Sequence, residues 1–111
     1  MTRAKHLATL TISALALTTF GTFARADETP IDQVGQKFSQ STVSIKVGDT
    51  VAFHNQDDVT HNINVTSPSG SPEDQGLQKP GETISKKFDA PGKYEIRCAI
   101  HPRMKMSVEV K

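Results

Sequence analysis

Three side chains that bind transition metals occur at three-residue steps near the end of the chain. The single cysteine, Cys98, is followed by His101 and then by Met104. Thiolate and thioether sulfur favour Cu(I), and imidazole binds either copper oxidation state. Two histidines, one cysteine and a weak axial methionine make up a known electron-transfer copper site. A second histidine is therefore needed, and His61 is the candidate. The sequence predicts one copper ion that cycles between Cu(I) and Cu(II).

The first 26 residues have the pattern of a secretory signal peptide. Basic residues near the start precede a Leu-, Ala- and Thr-rich stretch over residues 7–23, and residues 24–26 form an Ala-Arg-Ala cleavage site. The apolar stretch falls short of the roughly 20 residues that a membrane-spanning helix needs, and Thr and Ser dilute it. We expect cleavage before Asp27, export to the periplasm and no membrane span in the mature protein.

Residues 27–111 are enough for one small hydrophobic core and too few for two domains. The first 26 residues hold three of the 13 Lys and Arg residues and none of the 12 Asp and Glu residues. The mature domain therefore has a net charge of about −2, whereas domains that bind nucleic acid are usually strongly basic. We expect a single monomeric domain with no DNA or RNA partner.

Short runs of alternating apolar and polar residues predict β-strands throughout this domain, and no segment has a convincing helical period. The alternation gives each strand one buried and one exposed face, which predicts two packed layers of antiparallel sheet. The Ser-, Pro- and Gly-rich segment 68–76 is interpreted as a mobile surface loop. The predicted strands are 31–38, 42–47, 50–55, 62–67, 83–88, 92–98 and 105–110.

Strand parity places the cysteine. In the segment 94–98, Tyr94, Ile96 and Cys98 share one face, so Cys98 should point inward at the end of its strand. His101 and Met104 then follow on a connecting loop. The same parity turns His54 outward, because it lies in a strand beside inward-facing Phe53. We interpret His54 as a surface histidine.

Several segments resemble the cupredoxin family of blue copper proteins, and the likeness covers essentially the whole mature sequence. The matching elements are residues 47–53 followed by Asn55, the pair 61–62, and residues 92–94 leading to Cys98 and His101. The short ligand loop is most similar to that of amicyanin, with plastocyanin and pseudoazurin as relatives. The resemblance implies an all-β, Greek-key sandwich with one type 1 copper bound by His61, Cys98, His101 and an axial methionine.

Two methionines compete for the axial position. Met104 has the amicyanin spacing from His101, and Met106 has the plastocyanin spacing. If Met104 is the ligand, the last strand keeps its full length, with Met106 directed into the core. We therefore favour Met104 over Met106.

Two further residues should contact the thiolate. The resemblance implies that the backbone N–H of Asn62 points at the sulfur of Cys98 and that its side chain usually bonds a hydroxyl residue just after the cysteine. Here that residue is Ala99, so the side-chain tie should be missing or replaced by another contact. Ile100 stands where relatives have proline, which has no N–H. We expect the N–H of Ile100 to donate a second hydrogen bond to the sulfur.

Four protein ligands leave no open position for a substrate or an activated water, so we expect no enzymatic activity. The prediction is an exported one-electron carrier, with His101 as the exit for the electron. The resemblance implies a dehydrogenase donor and a cytochrome acceptor, and Arg103 and Lys105 near His101 favour acidic partners. A periplasmic copper-trafficking or copper-storage protein is the alternative, because the same side chains suit metal delivery. A thiol enzyme is disfavoured, since a resolving cysteine is absent.

Overall fold

The computed structural model describes residues 26–111, which form nine β-strands arranged in two sheets. The predicted signal peptide lies outside the described residues except for Ala26. Within the described part of the chain there is no helix of the length and apolar character needed to cross a membrane. The strands are β1 (Glu28–Val34), β2 (Lys37–Phe38), β3 (Thr42–Ile45), β4 (Thr50–Asn55), β5 (His61–Thr66), β6 (Pro72–Gln78), β7 (Thr83–Lys87), β8 (Gly92–Arg97) and β9 (Lys105–Val110).

The two sheets pack face to face as a β-sandwich, which confirms the predicted fold class. One sheet has the strand order β2-β1-β4-β7, and the other has the order β3-β9-β8-β5-β6. Most neighbouring strands are antiparallel, but β1 pairs with β4 and β3 pairs with β9 in parallel. The chain crosses to the other sheet between β2 and β3 and returns between β3 and β4, so β3 lies beside β9 and β4 beside β1.

Most predicted strands are present within two residues of their expected ends, but two predictions were wrong. The predicted strand 31–38 is two strands, β1 and β2, separated by a turn in which Gly35 and Gln36 both have positive φ. The predicted loop 68–76 contains most of β6. This strand lies at the edge of its sheet with mostly exposed side chains, so its sequence lacks the apolar alternation that marks a half-buried strand.

Apolar side chains from both sheets meet between the layers. Strand β9 shows the pattern most simply, because Met106, Val108 and Val110 are buried and the residues between them are more exposed. The same alternation occurs at the end of β8, where Ile96 is buried and Cys98, two residues later, is buried as well. The largest fully buried apolar side chains are Phe53, Phe88, Ile31, Ile63, Ile96 and Met104.

Strands β5 and β8 are neighbours, and this pairing brings the metal-binding residues together. The antiparallel ladder pairs Asn64 with Arg97. Continuing the same register places Asn62 opposite Ala99, beyond the last ladder pair. The start of β5 and the loop after β8 therefore meet at one end of the sandwich.

Gly92, at the start of β8, provides a test of packing. Its φ is 139°, a conformation that side chains rarely adopt, and a Cβ there would overlap the ring of Pro68. We predict that Gly92→Ala destabilises the fold by about 2–4 kcal/mol, combining backbone strain with overpacking. Gly48→Ala should cost only the strain, about 1–2 kcal/mol, because its φ is 93° and nothing lies near its Cβ position.

Urea denaturation of both variants measures this difference. Adding Pro68→Ala should recover the overpacking part of the loss in Gly92→Ala and should have no such effect in Gly48→Ala. Equal losses in the two glycine variants would contradict the clash with Pro68.

Candidate metal centre

Cys98 lies directly after β8 and faces inward, as strand parity predicts. It is a free cysteine and only 1% exposed. Its backbone N–H donates to the carbonyl of Met104 at 3.2 Å, and the N–H of Met104 donates to the carbonyl of His101 at 2.9 Å. The loop from Cys98 to Met104 is therefore closed by its own backbone, and this holds the three predicted ligand residues on one compact turn.

The structure brings His61, Cys98 and His101 together. Their donor atoms all lie within 4.8 Å of one another. The Sγ of Cys98 is 3.7 Å from the Nδ1 of His61 and 3.9 Å from the Nδ1 of His101. Zinc binds these same donor atoms at about 2.0–2.3 Å, so atoms that share one ion lie roughly 4 Å apart. A thiolate with two imidazoles at this spacing suits a soft transition metal such as copper.

The two histidines differ in their exposure. His61, the first residue of β5, is fully buried, whereas His101 is partly exposed at the end of the molecule. Their rings meet edge to face, with centroids 5.0 Å apart. The site is therefore deep at His61 and nearest to the surface at His101.

The two methionines occupy different environments. Met106 belongs to the hydrophobic core cluster between the sheets. Met104 is just as inaccessible, at 1% exposure, but it lies outside that cluster and on the ligand loop. Met106 therefore has the core position that strand parity predicts, and Met104 lies on the same loop as Cys98 and His101.

Asn62 joins the two halves of the site. Its backbone N–H donates to the Sγ of Cys98 at 3.3 Å, as expected. Its side-chain oxygen accepts the backbone N–H of Ala99 at 3.1 Å. The expected hydrogen bond between the Asn62 side chain and a hydroxyl is thus replaced by one to the backbone N–H of Ala99. The side-chain nitrogen of Asn62 donates to Asp74 at 2.7 Å and to the carbonyl of Gly76 at 3.0 Å, which anchors it on β6.

The predicted hydrogen bond from Ile100 to the thiolate is not present. Among the described residues, the backbone N–H that donates to the Cys98 sulfur is that of Asn62. Ile100 lies at the turn of the ligand loop, and its side chain is 47% exposed. Its place in the molecule is the surface beside His101.

Sequence reasoning missed Asp57. One of its carboxylate oxygens lies 2.6 Å from the Nε2 of His61, and its side chain is 10% exposed. Partial burial alone would raise the pKa of this carboxyl. Hydrogen bonds from His61, Gln36 and Gly35 outweigh it and hold the pKa below its usual range. An acidic residue four positions before a predicted ligand was the available signal.

Asn55 shapes the loop that carries Asp57 and leads to His61. Its side-chain nitrogen donates to the carbonyl of Val59 at 2.9 Å and to that of Gln78 at 3.1 Å, and its oxygen accepts the N–H of Asp57. This fully buried amide is the loop's internal support. His54, one residue earlier, faces away with a side chain that is 39% exposed, which agrees with its interpretation as a surface histidine.

The fold and the donor set define a small β-sandwich metalloprotein with a thiolate and two imidazoles at one end. Comparison with known proteins gives the same class. Residues 26–111 match the family model for copper binding proteins of the plastocyanin/azurin family. The chain belongs to this family, the cupredoxins, and its metal is copper.

Comparison with individual proteins supports the same family assignment. The chain is 33% identical to the methylamine utilization protein MauL of Methylorubrum extorquens over 105 residues, covering 94% of this chain and 92% of MauL. It is 36% identical over 90 residues to amicyanin-alpha of the same organism, covering 79% of this chain and 76% of the relative. A solved structure of an amicyanin variant in its reduced Cu(I) form superposes with a TM-score of 0.70 at 26% identity, covering 76% of this chain and 82% of that one.

Proposed function

We propose that residues 27–111 act as a periplasmic, monomeric one-electron carrier, exported by a signal peptide over residues 1–26. The observation that carries this proposal is the arrangement of the donors, since Cys98 and His61 are buried and only His101 lies near the surface. An electron can then enter and leave through one edge of the site while the thiolate stays away from solvent.

Each predicted ligand has a distinct role in this proposal. Cys98 would supply the thiolate, His61 and His101 would supply the two imidazoles, and Met104 would supply the thioether. When bound, copper supplies a reversible one-electron couple between Cu(I) and Cu(II). The backbone-closed loop 98–104 and the hydrogen bonds of Asn62 to Cys98 and Ala99 would hold these side chains in place in both oxidation states. With four protein donors there is no free position for a substrate, so we expect no enzymatic activity.

A copper-trafficking or copper-storage role is less well supported. Delivery of a metal requires ligands that a partner can reach, and three of the four donors here are at most 1% exposed. A carrier, in contrast, benefits from burial, because an enclosed thiolate is protected from oxidation to sulfenic acid.

The surface around His101 supports a docking face for acidic redox proteins. A shallow depression beside His101 is lined by exposed Ile100, by Pro102 and the turn before Lys37, and by the basic side chains of Lys37 and Arg103. Lys37, Arg103 and Lys105 line the adjoining surface, and none of them forms an ion pair with another described residue. An apolar patch with a basic rim fits a partner with an acidic rim. A dehydrogenase donor and a cytochrome acceptor are the partner classes that we propose.

Copper titration tests the proposed site. Adding Cu(II) to the purified mature protein should produce an intense visible absorption band from thiolate-to-copper charge transfer. Cys98→Ser should abolish both the band and the redox couple, because a hydroxyl is a hard, reluctant donor to copper. His61→Ala should weaken or remove the band, whereas His54→Ala should leave it unchanged. A band of normal intensity in Cys98→Ser would refute the assignment.

The two methionines give a second prediction. Met104→Ala should change the absorption spectrum and the reduction potential, because it removes the axial donor. Met106→Ala should leave both nearly unchanged and instead destabilise the fold by about 2–5 kcal/mol through a core cavity. Spectroscopy, voltammetry and urea denaturation of the two variants separate these effects. The opposite pattern would assign the axial position to Met106.

The basic rim gives a third prediction. Oxidation of the reduced protein by the anionic complex hexacyanoferrate(III) should slow as salt is added, although the domain is net negative, because the local positive rim steers the anion. Arg103→Glu should lower the rate at low ionic strength by roughly tenfold. Lys87→Glu makes the same charge change at the far end of β7 and should have a much smaller effect. Rates that rise with salt in the unmodified protein would contradict a basic docking rim.

A further inference from the structure

Asp57 makes a contact with His61 that the copper-site prediction did not include. The carboxylate lies 2.6 Å from the Nε2 of His61, and the imidazole itself is fully buried. Both groups are therefore shielded from water, and the hydrogen bond between them has little competition. The carboxylate contacts Nε2, and the other ring nitrogen, Nδ1, faces the proposed metal centre.

This contact determines which ring nitrogen carries the proton. A neutral imidazole has one N–H, and an ionised carboxylate can only accept. In the neutral ring of His61 beside an ionised Asp57, the proton is therefore on Nε2, which leaves the lone pair on Nδ1. That nitrogen faces the Cys98 sulfur at 3.7 Å. The hydrogen bond thus fixes both the tautomer and the rotation of the ring.

Asp57 is itself held from a third element. Its two oxygens accept the backbone N–H groups of Gly35 and Gln36, at 2.5 and 2.9 Å. These two residues form the turn between β1 and β2, and both have positive φ, 61° and 56°. The turn presents two consecutive N–H groups to the carboxylate, so the position of Asp57 does not depend on His61 alone.

We propose that Asp57 is a positioning residue that selects Nδ1 of His61 as the metal donor and lowers the reduction potential of the bound copper. The tautomer follows from the hydrogen bond alone. The effect on the potential rests on the proposed copper site. A negative charge hydrogen-bonded to a ligand stabilises the more positive oxidation state, so it favours Cu(II) over Cu(I).

The test compares Asp57→Asn with Asp58→Asn. The two substitutions remove the same charge from adjacent positions, but Asp58 is exposed and its side chain makes no hydrogen bond with another residue in the range 26–111. Cyclic voltammetry of the copper-loaded proteins should show the potential of Asp57→Asn raised by about 59 mV, which corresponds to a tenfold shift of the one-electron equilibrium. Asp58→Asn should change it several-fold less. Equal shifts in the two variants would overturn the proposal.

Nitrogen-15 NMR of the imidazole rings tests the tautomer without copper. In the metal-free protein, and in metal-free Asp58→Asn, His61 should carry its proton on Nε2. In Asp57→Asn it should become a mixture of the two tautomers. A proton on Nδ1 in the unmodified protein would overturn the proposal even if Asp57→Asn failed to fold. A protein that shows the expected tautomer and binds no copper would leave Asp57 as the positioning residue and overturn the proposed function instead.

Discussion

The hydrogen bond from the Asn62 backbone to the Cys98 sulfur is the constraint on which the rest of the metal centre depends. It spans 3.3 Å between two segments that are distant in sequence, and it lies beyond the last pair of the β5–β8 ladder. Beyond the last ladder pair, this bond holds the loop after β8 against the start of β5, together with the bond from the Ala99 N–H to the Asn62 side chain. Because His61 directly precedes Asn62, the same contact sets the distance between the buried imidazole and the thiolate.

That hydrogen bond is supported by layers of polar contacts on both sides. On one side, Asp74 and Gly76 of β6 accept hydrogen bonds from the side-chain nitrogen of Asn62, and the side-chain oxygen of Asn62 accepts the backbone N–H of Ala99. On the other side, Asp57 connects His61 to the β1–β2 turn. The start of β5 is thus held both from β6 and from the β1–β2 turn, and the donor geometry is a property of the whole end of the sandwich rather than of one loop.

The sequence predicted the parts of this arrangement that follow from side-chain type and parity. Cys98 at an inward position and Met106 in the core are direct consequences of the two-residue period of a strand. The parts that it did not predict depend on backbone geometry. Strand β6 has no apolar alternation to reveal it. The hydrogen bond from Ala99 uses a backbone N–H, which every residue except proline has, so no side chain marks it. The hydrogen bond expected from Ile100 required a loop conformation that the closed 98–104 turn does not adopt. The role of Asp57 depended on the turn at Gly35, which the predicted continuous strand 31–38 had concealed.

Strand β6 also bears on how the molecules behave when crowded. An edge strand presents unpaired backbone groups that can recruit a second chain, and proteins blunt such edges with proline, charges and bulges. Here β6 begins at Pro72, carries exposed Glu73 and Asp74, and is irregular where Ile63 pairs with Gly76 and Asn64 with Asp74. The irregularity that brings Asp74 to Asn62 therefore also spoils the template for sheet extension. This short segment both holds the site together and discourages aggregation. A substitution that straightened it would therefore loosen the metal centre and also favour aggregation.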